Sequence, residues 1–306
     1  MAHDHDHQHG REGGRRDHGH EHGHTHGHID FAGMLPVLEQ EAELYSPMYA
    51  RVAAWLREWR PDPGMIVDAG SGPGVISGVL AETFPGSRIV AVDGAKPLLD
   101  RARERAERLG FADRFSTLEA ELGSGLGDLE YPADLLWASG SLHHVGDQRA
   151  ALKGFADRLA PGGALALMEG GLPSRHLPRD IGIGRPGLQA RMDAVQEESF
   201  ARMRAGLPGA AEETEDWPAL LTAAGLRHGA TRTFLLDLPA PLSGQGRAFV
   251  ATGLAHRRDG LGDSLDPEDL ATLDRLLDPR DEAGVHRRPD VFVLAARTLY
   301  VGVKPR

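Results

Sequence analysis

The chain of 306 residues contains no cysteine, which excludes a disulfide framework and a thiolate metal site. Lysine is almost absent: Lys96, Lys153 and Lys304 are the whole set, and arginine supplies the remaining basic residues. That imbalance reads as a bias of genome composition. Positive charge is also in deficit. Lys and Arg number 34 against 45 for Asp and Glu, so the formal net charge is −11. A field of that sign does not favour nucleic acid as a partner. No apolar run approaches the ~18 residues of a membrane span. The N-terminus carries no apolar h-region, so secretion is not expected and the cytoplasm is the expected location. The remaining composition, 41% hydrophobic and 26% charged, is that of an ordinary globular protein. The length suggests about two domains, although α/β folds of this size are often one.

Residues 1–28 form a low-complexity segment with almost nothing apolar to bury, and are expected to be a disordered tail. Ten of the sixteen histidines lie there: His3, His5, His7, His9, His18, His20, His22, His24, His26 and His28. Neutral imidazole ligates Zn, Ni and Cu, so the tail is a candidate metal binder, or simply a solvated tail.

Chemistry concentrates at residues 65–74, M-I-V-D-A-G-S-G-P-G. A short apolar run ends on Asp68. Gly70, Gly72 and Gly74 follow at alternate positions, and Val75, Ile76, Val79, Leu80 and Phe84 then recur at helical spacing. The unit reads as buried strand, glycine-rich turn and helix, with Pro73 at the helix start, where a proline loses no helical hydrogen bond. A dinucleotide fingerprint, G-x-G-x-x-G, fails in both frames, because Val75 and Ser77 stand where its third glycine belongs. A second buried strand, 88–92, ends on Asp93-Gly94, nineteen residues after Gly74. A carboxylate there can accept hydrogen bonds from both hydroxyls of a ribose.

The pattern D-x-G-x-G-x-G with an acid closing the second strand resembles the class I S-adenosylmethionine-dependent methyltransferases. The resemblance is specific over roughly residues 65–170. It implies S-adenosylmethionine as cofactor, held by Asp68, Ala69, Gly70, Gly72 and Gly74, with Asp93 and Gly94 at the ribose. The family usually has an acid after the third strand that meets the adenine amino group. Glu121, before Leu122, is the better match, and Glu119 is the alternative. The usual residue there is Asp. Ser139 leaves the fourth strand, 133–138, at the same edge. In an open parallel sheet, ligands sit outside these carboxyl ends, so one crevice gathers Asp68, Asp93, Glu121 and Ser139.

The segment after Ser139, S-G-S-L-H-H-V, resembles that of small-molecule methyltransferases. It lacks the N-P-P-Y signature of the family's nucleobase and glutamine N-methyltransferases. The missing cysteine argues against arsenic methylation, which relies on thiols. The expected reaction is methyl transfer to an oxygen, nitrogen or carbon of a small molecule. A base is needed only if the nucleophile must lose a proton, and His143 or His144 is the candidate. The competing reading is that both pack the strand end. A metal-handling protein working through the tail is the rival function, though nothing in the folded part supplies a metal constellation.

The expected architecture is a Rossmann-like α/β fold with a seven-stranded, mostly parallel sheet and helices on both faces, over residues 29–306. A helical start at 34–44 leads across Ser46-Pro47 into a second run at 51–60, where Tyr45 and Tyr49 either cover the cofactor or belong to the core. Residues 170–187 read as a long loop. Helical insertions are expected at about 185–210 and 243–280; the family usually joins its last two strands by a hairpin, so the second is a departure. The sequence leaves the oligomeric state open.

Overall fold

The computed structural model describes residues 34–124 and 126–306. Five strands run parallel: β1 (Met65–Ala69), β2 (Arg88–Asp93), β3 (Phe115–Glu119), β4 (Ala133–Ser139) and β5 (Leu159–Met168). Their spatial order is β3-β2-β1-β4-β5. All five residues of β1 are buried, as a central parallel strand covered on both faces requires. Three further strands complete the sheet: β6 (Leu172–Arg175), β7 (Arg227–Leu238) and β8 (Val293–Val303). β8 is antiparallel to β5, β6 and β7, and pairs with all three.

Helices cover both faces. On one lie α1 (Leu35–Trp59), α2 (Val75–Thr83), α3 (Lys96–Leu109), α5 (Leu188–Ala205), α7 (Gly244–Leu261) and α8 (Pro267–Leu277), sharing a core with Ile66, Leu135 and Leu299. On the other, α4 (Gln148–Arg158) and α6 (Trp217–Ala223) pack against Val67, Leu136 and Leu165. Alternate residues of each strand feed opposite cores, which is the period of two expected of a strand.

Two expectations need correction. The sheet has eight strands, because β6 lies in the stretch that reads as a loop. Four residues containing Pro173 carry too little pattern to read as a strand; their pairing comes from β8, where Leu172 meets Ala296 and Arg175 meets Leu294. The N-terminal helix is also one continuous element through Pro47. Proline removes a helical hydrogen bond, but Tyr45, Met48, Val52, Ala53 and Leu56 are all buried by the same face, and that burial outweighs the loss. The helices α5, α7 and α8 occupy the two stretches read as helical. Histidines 3–28 lie outside the described residues. Among the described residues, no group of three or more His, Cys, Asp or Glu could hold a metal, and no helix is long and apolar enough to cross a membrane.

Candidate active site

The register of the parallel strands sets the site. Ala69 pairs with Val92 on one side and Ala138 on the other, Asp93 pairs with Glu119, and Ser139 with Met168. The residues at which β1 to β5 end therefore stand level along one edge.

Each glycine of the turn after β1 has its own reason. Gly70 has φ +74°, and a Cβ there would stand 2.7 Å from the Ser141 Cβ and 3.3 Å from Leu122 Cδ1. The turn is packed against the segments leaving β3 and β4, so only glycine fits. Gly72 has φ +51°, yet a Cβ there would meet nothing within 4 Å. Its face is open. Gly74 begins α2 against Ala102 of α3. Asp68 is 1% exposed beneath the turn and accepts a 2.6 Å hydrogen bond from Ser77 Oγ. Burial pushes its carboxyl up to about 7, against the pull of the Ser77 hydroxyl. Its place is under the turn, as a support for it.

Asp93 closes β2 and accepts from two backbone N–H groups, Gly72 at 3.0 Å and Ala95 at 2.9 Å. Burial raises its carboxyl above the usual range, the two N–H groups oppose this, and Glu121 adds to the rise. An ionised carboxylate has about four acceptor positions; the Gly94 N–H also draws on this one, and room remains for a hydroxyl. A Cβ on Gly94 would lie 2.6 Å from Glu121 Oε1, so this acid meets the end of β2. Glu119 stays in β3, and Leu122 touches the glycine turn.

β4 ends at Ser139, whose side chain is hydrogen-bonded to the hydroxyl of Tyr49 on α1. The following turn carries His143 and His144. His143 Nδ1 lies 3.0 Å from Glu169 Oε2. His144 is different: burial, then the neighbouring His143, push its imidazole down to about 4, so it is neutral at physiological pH. Glu169, just past β5, was not singled out from the sequence. The signal was available, since an acid directly follows β5 much as one closes β2.

A second compartment adjoins this one. β5 pairs with β8 only up to Leu299, and β6 takes over β8 from Ala296 onwards, so β6 stands beyond the carboxyl end of β5. Here the Tyr45 hydroxyl is 2.8 Å from Ser174 Oγ, and its ring is 6.3 Å from those of Tyr49 and Phe249. Tyr45 is 2% exposed, which makes it core, while Tyr49 reaches Ser139. Arg297 lies over the Tyr45 ring at 5.4 Å, and its Nη1 donates to the carbonyls of Leu172 (3.3 Å) and Ala296 (3.1 Å). No carboxylate of the described residues comes within salt-bridge distance of Arg297. Glu41 senses its charge from further off. A lone arginine in an apolar last strand carries no sequence pattern, which is why Arg297 went unnoticed.

The residues of the first compartment fit a nucleoside-bearing cofactor. Gly72 leaves its face open, Asp93 retains room for a hydroxyl, and the buried Ser71 Oγ in the turn has no hydrogen-bond partner. Fold and turn together define a nucleotide-type α/β binding domain. A family model described as a methyltransferase domain matches residues 67–165. A trans-aconitate 2-methyltransferase of Methylobacterium nodulans is 30% identical over 244 residues, covering 77% of this chain and 88% of that protein. Another, from Streptomyces coelicolor, is 35% identical over 127 residues, 40% of this chain, and the match spans only 41% of the relative's length. Among solved structures, a chain of the complex between the Haloferax volcanii Trm112 methyltransferase activator and a methyltransferase aligns with TM-score 0.51 at 17% identity. The alignment covers 92% of this chain and all of that one, a likeness of fold. The chain belongs to the class I S-adenosylmethionine-dependent methyltransferases.

Proposed function

We propose that the protein transfers the methyl group of S-adenosylmethionine to a carboxylate oxygen of a small carboxylic acid of the trans-aconitate kind. Arg297 carries this reading. It is an arginine beside the crevice, stacked on an aromatic ring and without a carboxylate partner in salt-bridge range among the described residues. A planar guanidinium in that state suits a carboxylate. The names of the two relatives support the same acceptor class. Asp93 would hold the ribose, Glu121 would stand by the adenine, and the glycine turn would admit the methionine end.

When bound, S-adenosylmethionine supplies an electrophilic methyl on a sulfonium; the acceptor oxygen forms the new C–O bond, the C–S bond breaks with its electron pair going to sulfur, and S-adenosylhomocysteine remains. A carboxylic acid is ionised at neutral pH, so its oxygen needs no base. The protein's part is to align the two reactants and to keep water out, which is where the gain in rate lies. The test is transfer of labelled methyl to a panel of acids, amines and phenols. Trans-aconitate or a similar acid should be methylated, and Arg297→Ala should raise its KM by about 10- to 100-fold, the usual effect of losing one charge-assisted contact. Labelling of neutral acceptors alone, or an unchanged KM in the variant, would remove the carboxylic-acid reading.

A further inference from the structure

We infer that His143 is the donor that grips the reacting carboxylate, and that Glu169 is the positioning residue that makes it so. This rests on the carboxylic-acid reading above. The Glu169 side chain is 3% exposed and that of His143 is 27% exposed. Glu169 Oε1 accepts from the backbone N–H groups of Ser141 and Leu142, each at 2.8 Å, and Oε2 faces His143 Nδ1 at 3.0 Å. One buried carboxylate thus ties the end of β5 to the turn after β4 and to its histidine. A carboxylate oxygen only accepts, so Nδ1 carries a proton. Nε2, on the other side of the ring, points away from the buried acid.

The rest of the turn is held as firmly. Arg204 of α5 donates from Nη1 to the carbonyls of His143 (2.9 Å) and Val145 (2.7 Å). The rings of His144 and Phe200 flank His143 at 4.1 Å and 5.8 Å. So much restraint on one side of a ring at the mouth of β4 leaves Nε2 as the working atom. Toward an ionised carboxylate Nε2 must donate. In the complex the ring therefore carries both protons, Nδ1–H to Glu169 and Nε2–H to the acceptor, each a charge-assisted hydrogen bond. The charged and titratable groups around the ring are Glu169 from β5, His144 from the same turn, and Arg204 from α5, whose donors are turned to the carbonyls. This role is the opposite of a general base: the proton stays on the histidine.

Calorimetry tests it. Trans-aconitate is titrated into the full chain saturated with S-adenosylhomocysteine over a range of pH. Affinity should fall as pH rises, since the acceptor needs the Nε2 proton. His143→Gln should abolish that pH dependence and weaken binding by about 10- to 100-fold, the scale of lost supporting contacts. Glu169→Gln keeps an acceptor for the two backbone N–H groups but turns an amide donor to Nδ1. It should therefore lose the pH dependence with a melting temperature near that of the unaltered protein, and imidazole ¹⁵N spectra should show an Nε2 proton and none on Nδ1. If that variant does not fold, His143→Gln and the spectrum of the unaltered protein decide. Affinity independent of pH, binding unweakened in His143→Gln, or a ring without a proton on Nδ1 in the unaltered protein would overturn the inference. A failure of the carboxylic-acid reading looks different: S-adenosylhomocysteine binds, no carboxylic acid does, and both proposals fall.

Discussion

At the scale of single residues, two acids of similar sequence context have come apart. Asp93 lies half-buried at the crevice and still has room for a hydroxyl, whereas Asp68 is sealed beneath the turn with Ser77. Replacing Asp93 by alanine should weaken S-adenosylmethionine binding by about 2–4 kcal/mol, since the ribose loses a charged acceptor; calorimetry reads this directly, and an unchanged affinity would take Asp93 out of the site. Asp68 makes a prediction about pH. Its carboxyl is raised to about 7 in the fold by burial, against an ordinary value of 3.8. The folded state therefore binds more protons than the unfolded chain between these values. Its contribution to stability is complete below about 4 and is lost as pH rises to about 7, with a slope of at most about 1.4 kcal/mol per pH unit. Asp68→Asn should flatten that slope in melting curves taken from pH 4.5 to 7; an identical slope would mean that Asp68 is ionised throughout. Both acids were legible as strand-end carboxylates, but only burial separates the one open to the crevice from the one that supports the loop.

Among the elements, α1 shows most clearly how packing overrides local preference. Its 25 residues stay helical through Pro47, and that proline is on the exposed side. Pro47→Ala should restore a backbone hydrogen bond and raise stability by about 1–3 kcal/mol. Thermal melting is the check. A lower melting temperature would show that the proline bends α1 to set Tyr45 and Tyr49 over the sheet. The helices α5, α7 and α8 fall in the stretches that read as helical. β6 was not legible, because a four-residue strand with a proline has no period to read and exists only through its partner β8. That short strand matters to the site: it brings Ser174 to Tyr45, and the Leu172 carbonyl to Arg297.

For the whole molecule, the class of fold and the cofactor were determined by the sequence alone. The reason is that a glycine-rich turn and an acid nineteen residues later are local requirements. Positive φ at Gly70, Gly72 and Gly74, and a carboxylate on the neighbouring strand, leave few residue types that can serve. The alternation of strands and helices likewise follows from apolar periods within short windows. The contacts behind the proposed acceptor side come only from tertiary structure. Arg297 reaches Tyr45 across more than 250 residues, Glu169 reaches His143 across 26, and Arg204 reaches the same turn across 61. None of these pairs has a fixed spacing, because each depends on how the antiparallel β8 docks beside β5 and how α5 meets the turn after β4. The difference between the two adjacent histidines was decided there too. In sequence they are equivalent, but in the fold one faces a buried carboxylate, while the other is kept neutral by burial and by its neighbour. Long-range contact and solvent exclusion are properties of the folded chain, and they are what bring these side chains together beside a recognisable cofactor domain.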